Sequence, residues 1–261
     1  MTTEAKKSLG QHWLDDDISL EAMCVAADVR QGDMVLEIGP GTGELTDKLL
    51  SHDAQVIALE IDNRLHKQLH QRFGSNSAFR LIAGDIRTFD LTELVAPYKI
   101  VANIPYYLTS HLLRILSEST NPPTKGALLV QKEVAERVVA EPGDMSLLSV
   151  TTQFYWLVSL GAVVPKDLFT PSPKVDSQVL VLERRTEPLF VVDEQQFFRL
   201  VKAGYSARRK KLRSSLAGGL RLGKPDIEQL LQSAEISADA RAQELSLDQW
   251  HQLYQVWQKT I

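Results

Sequence analysis

The chain has 261 residues, with 29 Lys and Arg against 33 Asp and Glu, and this net charge of −4 excludes a protein coated throughout in basic charge. Apolar residues make up 44% of it, enough for a core, and the length fits one large domain or one domain with an annex. The single cysteine, Cys24, excludes an internal disulfide framework and a multi-cysteine zinc site, and it suits a reducing, cytoplasmic compartment.

Residues 1–14 form a polar arm carrying Lys6-Lys7-Ser8-Leu9-Gly10-Gln11-His12-Trp13-Leu14. Two readings stand side by side: an arm packed down by Trp13 and Leu14, or a lid over a ligand with the lysines near phosphates. Lys6 and Lys7 lead into polar residues rather than an apolar core, so no export signal is expected. Asp17–Ala27 reads as a helix with apolar faces from Ile18, Leu20, Met23 and Val25, and with Cys24 buried among them. Gln31-Gly32-Asp33 then turns the chain into a buried strand, Val35-Leu36-Glu37-Ile38.

That strand runs into Gly39-Pro40-Gly41-Thr42-Gly43 and then into Glu44–Leu50, whose leucines have helical spacing. Strand, glycine loop and helix open a doubly wound, Rossmann-like α/β sheet. The glycines let the backbone turn sharply and lie close to a ligand, and the helix N-terminus presents free N–H groups to it. The spacing is Glu-x-Gly-x-Gly-x-Gly, the S-adenosylmethionine form, not the Gly-x-Gly-x-x-Gly of dinucleotide sites. A second strand, from Val56, ends in Glu60-Ile61-Asp62. Glu60 lies about 20 residues past the first glycine, where a nucleotide site places its ribose-binding carboxylate. Asn63–Phe73 is a helix on which His66 and His70 fall at i, i+4. No third ligand is in register, so no metal is expected. The third strand, Phe79–Ile86, ends in Gly84-Asp85. Its carboxylate can accept from the exocyclic amine of an adenine while Ile86 offers an apolar face to the ring.

A fourth strand from Tyr98 ends in Asn103-Ile104-Pro105-Tyr106, the chemical centre of the chain. An exocyclic adenine amine is a poor nucleophile because its lone pair is delocalised into the ring. It must be turned towards the methyl donor with both N–H groups held. The Asn103 amide oxygen and the Ile104 main-chain carbonyl are two acceptors close together. Pro105 stiffens the turn and biases Ile104 to extended geometry, and Tyr106 can stack on the base. No base with a shifted pKa is needed, since the proton leaves only after the nitrogen becomes cationic; positioning and preorganised acceptors carry the reaction.

Gln131–Val139 reads as a helix with Lys132, Glu133, Glu136 and Arg137 outward. The apolar stretch Leu147–Val164 contains Ser149, Thr151, Thr152, Gln153 and Ser159. It is read as a buried helix end followed by a strand, with no membrane span. Val158–Val164 and Gln178–Leu182 are the last two of six strands, and between them a proline-rich loop carries Phe169. The polar break Glu183–Pro188 places a domain boundary, with the sheet domain over 1–185 and a small, all-helical C-terminal domain over 186–261. Helices are expected over Glu194–Gly204 and on to Leu216, then Asp226–Glu235 and Leu247–Thr260, with Gly218-Gly219 as a break. Trp250, Leu253, Tyr254 and Trp257 are core by their spacing. Lys202, Arg208, Arg209, Lys210, Lys211 and Arg213 occur with no acid between them, and this cluster is read as RNA-binding.

The chain resembles the ribosomal-RNA adenine dimethyltransferase family of the RsmA (KsgA) type. The likeness is carried by Lys7-Ser8-Leu9-Gly10-Gln11 with Leu14, Glu37–Gly41, Asn103–Tyr106, Gln131–Ala135, Phe169–Ser177 and Arg208–Arg213. The resemblance implies an S-adenosylmethionine-dependent methyltransferase with a cofactor site of His12, Leu14, Gly39, Gly41, Glu60, Ile61, Asp85, Ile86 and Asn103. It implies that Phe169 covers the second face of the target adenine. It also implies N6-dimethylation of two adjacent adenosines in the 3′-terminal hairpin loop of small-subunit (16S) rRNA, on the assembling 30S subunit, by a monomer with no membrane attachment. The chain departs from the family at His12 and Tyr107, where asparagine is frequent, and in a shortened loop at 141–147. Two other functions stay open: a 23S rRNA adenine N6-methyltransferase of the macrolide-resistance type, and a non-catalytic ribosome-assembly factor with the same fold.

Overall fold

The computed structural model describes residues 4–207 and 209–260; Arg208 of the basic cluster lies outside them. The chain divides into two compact units, the first comprising the chain to Glu136 together with Trp156–Arg184. There the arm supplies β1 (Trp13–Leu14), and Asp16 caps α1 (Asp17–Ala26) by accepting from Ser19 N–H at 2.8 Å. β2 (Met34–Ile38), α2 (Glu44–Ser51), β3 (Gln55–Glu60), α3 (Asn63–Phe73) and β4 (Phe79–Ala83) follow. After them come β5 (Lys99–Asn103), α4 (Thr109–Glu118) and β6 (Lys125–Gln131). The chain leaves this unit within α5 (Lys132–Val138). It passes through α6 (Leu147–Tyr155) and returns as β7 (Trp156–Val164), β8 (Phe169–Thr170) and β9 (Ser177–Arg184).

Seven strands form one sheet in the order β4-β3-β2-β5-β6-β9-β7. The first five are mutually parallel, and β9 runs antiparallel to both β6 and β7. A parallel sheet covered on both faces needs strands apolar on both sides. Val35 and Leu36, Ile100 to Ala102 and Ala127 to Val130 meet that need, all of them buried. Leu36 stands opposite Ile57 on one side and Ile100 on the other. The strand order therefore reverses between β2 and β5, and a ligand crevice opens at the carboxyl ends of strands flanking such a switch point.

Three differences from the sequence expectation have physical causes. β6 and α4 belong to the fold but are not among the elements read from periodicity. The apolar part of β6, Gly126–Val130, is a short unbroken run, which periodicity alone does not assign to strand or helix. β1 pairs with β8, Leu14 opposite Phe169, a contact with no local signal. Residues 137–155, expected with the sheet, group with the second unit, which continues from Arg185. Its core takes Val150 and Phe154, with the Phe154 and Phe197 ring centroids 5.2 Å apart.

The second unit adds α7 (Glu194–Tyr205), α8 (Leu212–Leu220), α9 (Lys224–Ser233) and α10 (Leu247–Gln258), and Trp250, Leu253, Tyr254 and Trp257 are buried in its core. The expected run to Leu216 is interrupted between Tyr205 and Leu212, and Gly218-Gly219 is no break but lies inside α8. A Cβ on Gly219 would sit 2.6 Å from Ala203 Cβ, so the glycine is what lets α8 approach α7. Among the described residues no helix is long and apolar enough to cross a membrane.

Candidate active site

A single cavity of the first unit, at the carboxyl ends of β2, β3, β4 and β5, gathers the residues singled out above. His12, Leu14, Gly39, Gly41, Glu60, Ile61, Asp85, Ile86, Asn103, Ile104, Pro105, Tyr106 and Phe169 all line it. The glycine loop forms one wall. Gly41 has φ +61°, and a Cβ there would lie 2.7 Å from the Trp13 ring, so the loop is shaped against the arm. A Cβ on Gly39 would meet nothing within 4 Å, so this part of the loop faces open space.

Glu60 ends β3 and is 3% exposed. Its Oε1 accepts from Asp62 N–H at 2.7 Å and its Oε2 from Gly41 N–H at 3.2 Å, which ties the strand end to the glycine loop. Burial raises its pKa, with the two backbone N–H groups opposing the shift. Asp85 accepts from Arg87 N–H at 2.9 Å and Nε–H at 2.8 Å, and this arginine holds its carboxyl below the usual carboxylate range. Asp62 is held down to about 2, chiefly by Arg64, and it also accepts from Gln11 Nε2 at 3.1 Å, which latches the arm to the end of β3.

Asn103 ends β5. Its Nδ2 donates to the His12 carbonyl at 3.3 Å, so Oδ1 is the acceptor the amide has left. His12 Nδ1–H donates to Pro171 O at 2.6 Å, and its ring stacks on Tyr106 with centroids 5.9 Å apart and planes at 20°. The Tyr106 hydroxyl shares a hydrogen bond with Ser177 Oγ at 2.8 Å, and burial raises its pKa, so it is a neutral phenol at neutral pH. Phe169, 4% exposed, is fixed by the pairing of β8 with β1. Sequence reasoning missed the anchoring by Ser177 and the latch from Gln11. Ser177 closes the Pro-Ser-Pro-Lys-Val-Asp-Ser run, but nothing local pairs it with a tyrosine 71 positions away.

Glu37 lies beneath the glycine loop and is 0% exposed. Its Oε2 accepts from Thr46 Oγ1 at 2.6 Å, while Oε1 has no partner among the described residues. Burial pushes its pKa up to about 8 against the opposing Thr46 bond. A carboxyl raised on folding contributes stability that is full below its unfolded value, near 4.5, and is lost as pH rises through about 8. Unfolding midpoints between roughly pH 5 and pH 9 are expected to fall with pH, and to fall less for Glu37→Gln. Equal slopes for the two proteins would contradict the assignment.

His66 Nε2 is hydrogen-bonded to Glu60 O at 3.0 Å, and among the described residues no group of three or more metal-ligating side chains stands together. In the second unit the basic cluster is free of acids in sequence but not in space. Lys211 pairs with Asp239 at 2.6 Å and Arg213 with Glu228 at 2.9 Å. Lys202, Arg209 and Lys210 are exposed, and no ion pair among the described residues involves them.

The family model described as "Ribosomal RNA adenine dimethylase" matches residues 2–259. The chain is 43% identical over 256 residues to "Ribosomal RNA small subunit methyltransferase A" of Dehalococcoides mccartyi (strain CBDB1), covering 97% of this chain and 88% of the relative. It is 39% identical to the protein of the same name from Synechococcus elongatus, covering 94% and 92%. Among solved structures it is similar to the 23S rRNA methyltransferase ErmE, with a TM-score of 0.76, 28% identity and 94% and 98% of the chains covered. It is also similar to a dimethyladenosine transferase from Plasmodium falciparum, with a TM-score of 0.81, 25% identity and 95% and 98% covered. A match across nearly the whole length, together with relatives at this identity, leads to one conclusion: the chain belongs to the ribosomal RNA adenine dimethylase family.

Proposed function

We propose that the protein transfers methyl groups from S-adenosylmethionine to N6 of two adjacent adenosines in the 3′-terminal hairpin loop of small-subunit (16S) rRNA, acting as a cytoplasmic monomer on the assembling 30S subunit. The observation that carries this reading is Asn103 at the tip of β5, with Nδ2 committed to His12 O and Oδ1 left to accept. The relatives named for the small subunit, at 37% to 43% identity, favour that substrate over the 23S rRNA of the ErmE likeness.

The cavity fits the cofactor. Open space lies over Gly39, and the buried Glu60 carboxylate at the end of β3 would accept from a ribose diol. Asp85 and Ile86 would take the purine, and the glycine loop would run beside the amino-acid end. When bound, the cofactor supplies an electrophilic methyl group. In the first transfer Asn103 Oδ1 and Ile104 O accept the two N–H groups of the target amine, which favours a pyramidal nitrogen whose lone pair is no longer delocalised into the ring. In the second the one remaining N–H is held by one of the two acceptors. Tyr106, immobilised by Ser177 and His12, stacks on one face of the base, and Phe169 covers the other. The surplus proton rests against Asn103 Oδ1 until solvent takes it, so no neutral-range base is required. The target base has to be flipped out, at a cost of a few kcal/mol, less from an unpaired loop.

Purified protein supplied with labelled cofactor is expected to label small-subunit rRNA and not large-subunit rRNA; label in the large-subunit RNA alone would overturn the choice of substrate. RNA backbone contact by the exposed cations predicts a further result. For Lys210→Ala the slope of log affinity against log salt should fall by about 0.7–0.9, the value of one phosphate contact. Lys211→Ala should change it less, because Lys211 is already paired with Asp239. Filter binding over a salt series checks both, and equal slopes for wild type and Lys210→Ala would remove Lys210 from the interface.

A further inference from the structure

Tyr107 is the one aromatic side chain among the described residues that is mostly exposed, at 64%, and the chemistry above does not use it. An aromatic ring left in water forgoes the burial its size would otherwise supply. The ring is nevertheless held in place. Its backbone lies in the 3-10 turn Tyr106–Leu108, which Leu108 N–H closes by donating to Pro105 O at 2.9 Å and which runs straight into α4. A Cβ at Gly10 would lie 3.3 Å from Tyr107 Cε1, so the arm packs against part of the ring. Tyr107 lines the cavity together with Arg87 and Asp85. An exposed ring with only two side-chain torsions, packed on one side by the arm and lining the cavity in which the proposed function seats an adenine, is a stacking platform with little ordering left to lose.

We propose that Tyr107 stacks on a purine other than the target base, which makes it a positioning residue for the methyl transfer; the inference rests on the function proposed above. Two purines come within the chemistry of that function: the adenine of the cofactor and the base that flanks the target in the RNA. The phenol hydroxyl is not required for stacking, whereas the ring is.

Binding is measured for wild type, Tyr107→Ala and Tyr107→Phe, separately with S-adenosylhomocysteine and with a hairpin RNA carrying two adjacent adenosines in its loop. The alanine variant is expected to weaken one of the two ligands by roughly ten-fold, within the range for removing one aromatic–base stack. The phenylalanine variant is expected to restore it to within about two-fold, a rescue that a merely structural role for the hydroxyl would not give. Loss in the cofactor arm identifies the cofactor's adenine as the partner, and loss in the RNA arm identifies the flanking base. Unchanged binding of both ligands by Tyr107→Ala, or no recovery with phenylalanine, overturns the proposal. Failure of the wild type to bind S-adenosylhomocysteine would overturn the functional reading itself, and the first protein measured shows it.

Discussion

Asn103→Ala is expected to lower methyl-transfer turnover by about two to three orders of magnitude, the usual cost of deleting one preorganised group that acts mainly in the transition state. The substitution removes the Oδ1 acceptor that would hold one N–H of the amine. It also frees the His12 carbonyl, which now accepts from Nδ2 at 3.3 Å. The base then keeps its stacking surfaces and loses its orientation. Single-turnover rates with labelled cofactor should collapse while RNA affinity changes little. A variant that bound RNA far more weakly but turned over normally would show that Asn103 serves binding and not the chemical step. Tyr106→Phe makes a milder comparison. It keeps the ring and loses only the bond to Ser177 Oγ, so a loss nearer ten-fold is expected.

Glu60→Gln is expected to weaken cofactor binding by about a hundred-fold, in line with removing a buried, charged hydrogen-bonding partner. Both oxygens already accept from backbone N–H groups, those of Gly41 and Asp62. A glutamine must turn its NH2 towards one of these donors, which leaves a buried N–H facing another at a cost of about 1–3 kcal/mol in stability. The pH dependence has a definite sign. Binding needs the ionised carboxylate, and burial raises the pKa of Glu60 in the free protein. Affinity for S-adenosylhomocysteine should therefore decline as pH falls, starting at a higher pH than an ordinary carboxylate would give, and Glu60→Gln should abolish that decline. Calorimetric titrations of both proteins across the acid range check it, and a decline that persists in the glutamine variant would assign it elsewhere.

Residues whose partners are local were the legible ones. The glycine loop, Glu60, Asp85 and Asn103–Tyr106 each sit at a strand end, where apolar run, turn and functional group follow one another within a few residues. Parallel topology then carries all four strand ends to one edge of the sheet without further information. What was not legible depends on distant pairing. Leu14 meets Phe169 only because β1 reaches β8, and Tyr106 is steadied by a serine on β9. Lys211 and Arg213 stand in an acid-free run, yet Asp239 and Glu228 fold back onto them. The grouping of 137–155 with the second unit was hidden for the same reason, since Val150 and Phe154 find their partners beyond residue 190. β6 is not assignable for another reason: its five-residue apolar run, Gly126–Val130, carries no period.

In the proposed reaction two acceptors at the tip of β5, Asn103 Oδ1 and Ile104 O, present the N6 amine of an adenine to a methyl donor. The most direct test is nucleoside analysis of small-subunit rRNA after incubation with S-adenosylmethionine and either wild-type protein or Asn103→Ala. N6,N6-dimethyladenosine is expected at two neighbouring positions with the wild type and almost none with the variant. Methylation at any other atom, or an equal yield from Asn103→Ala, would contradict the proposed reaction.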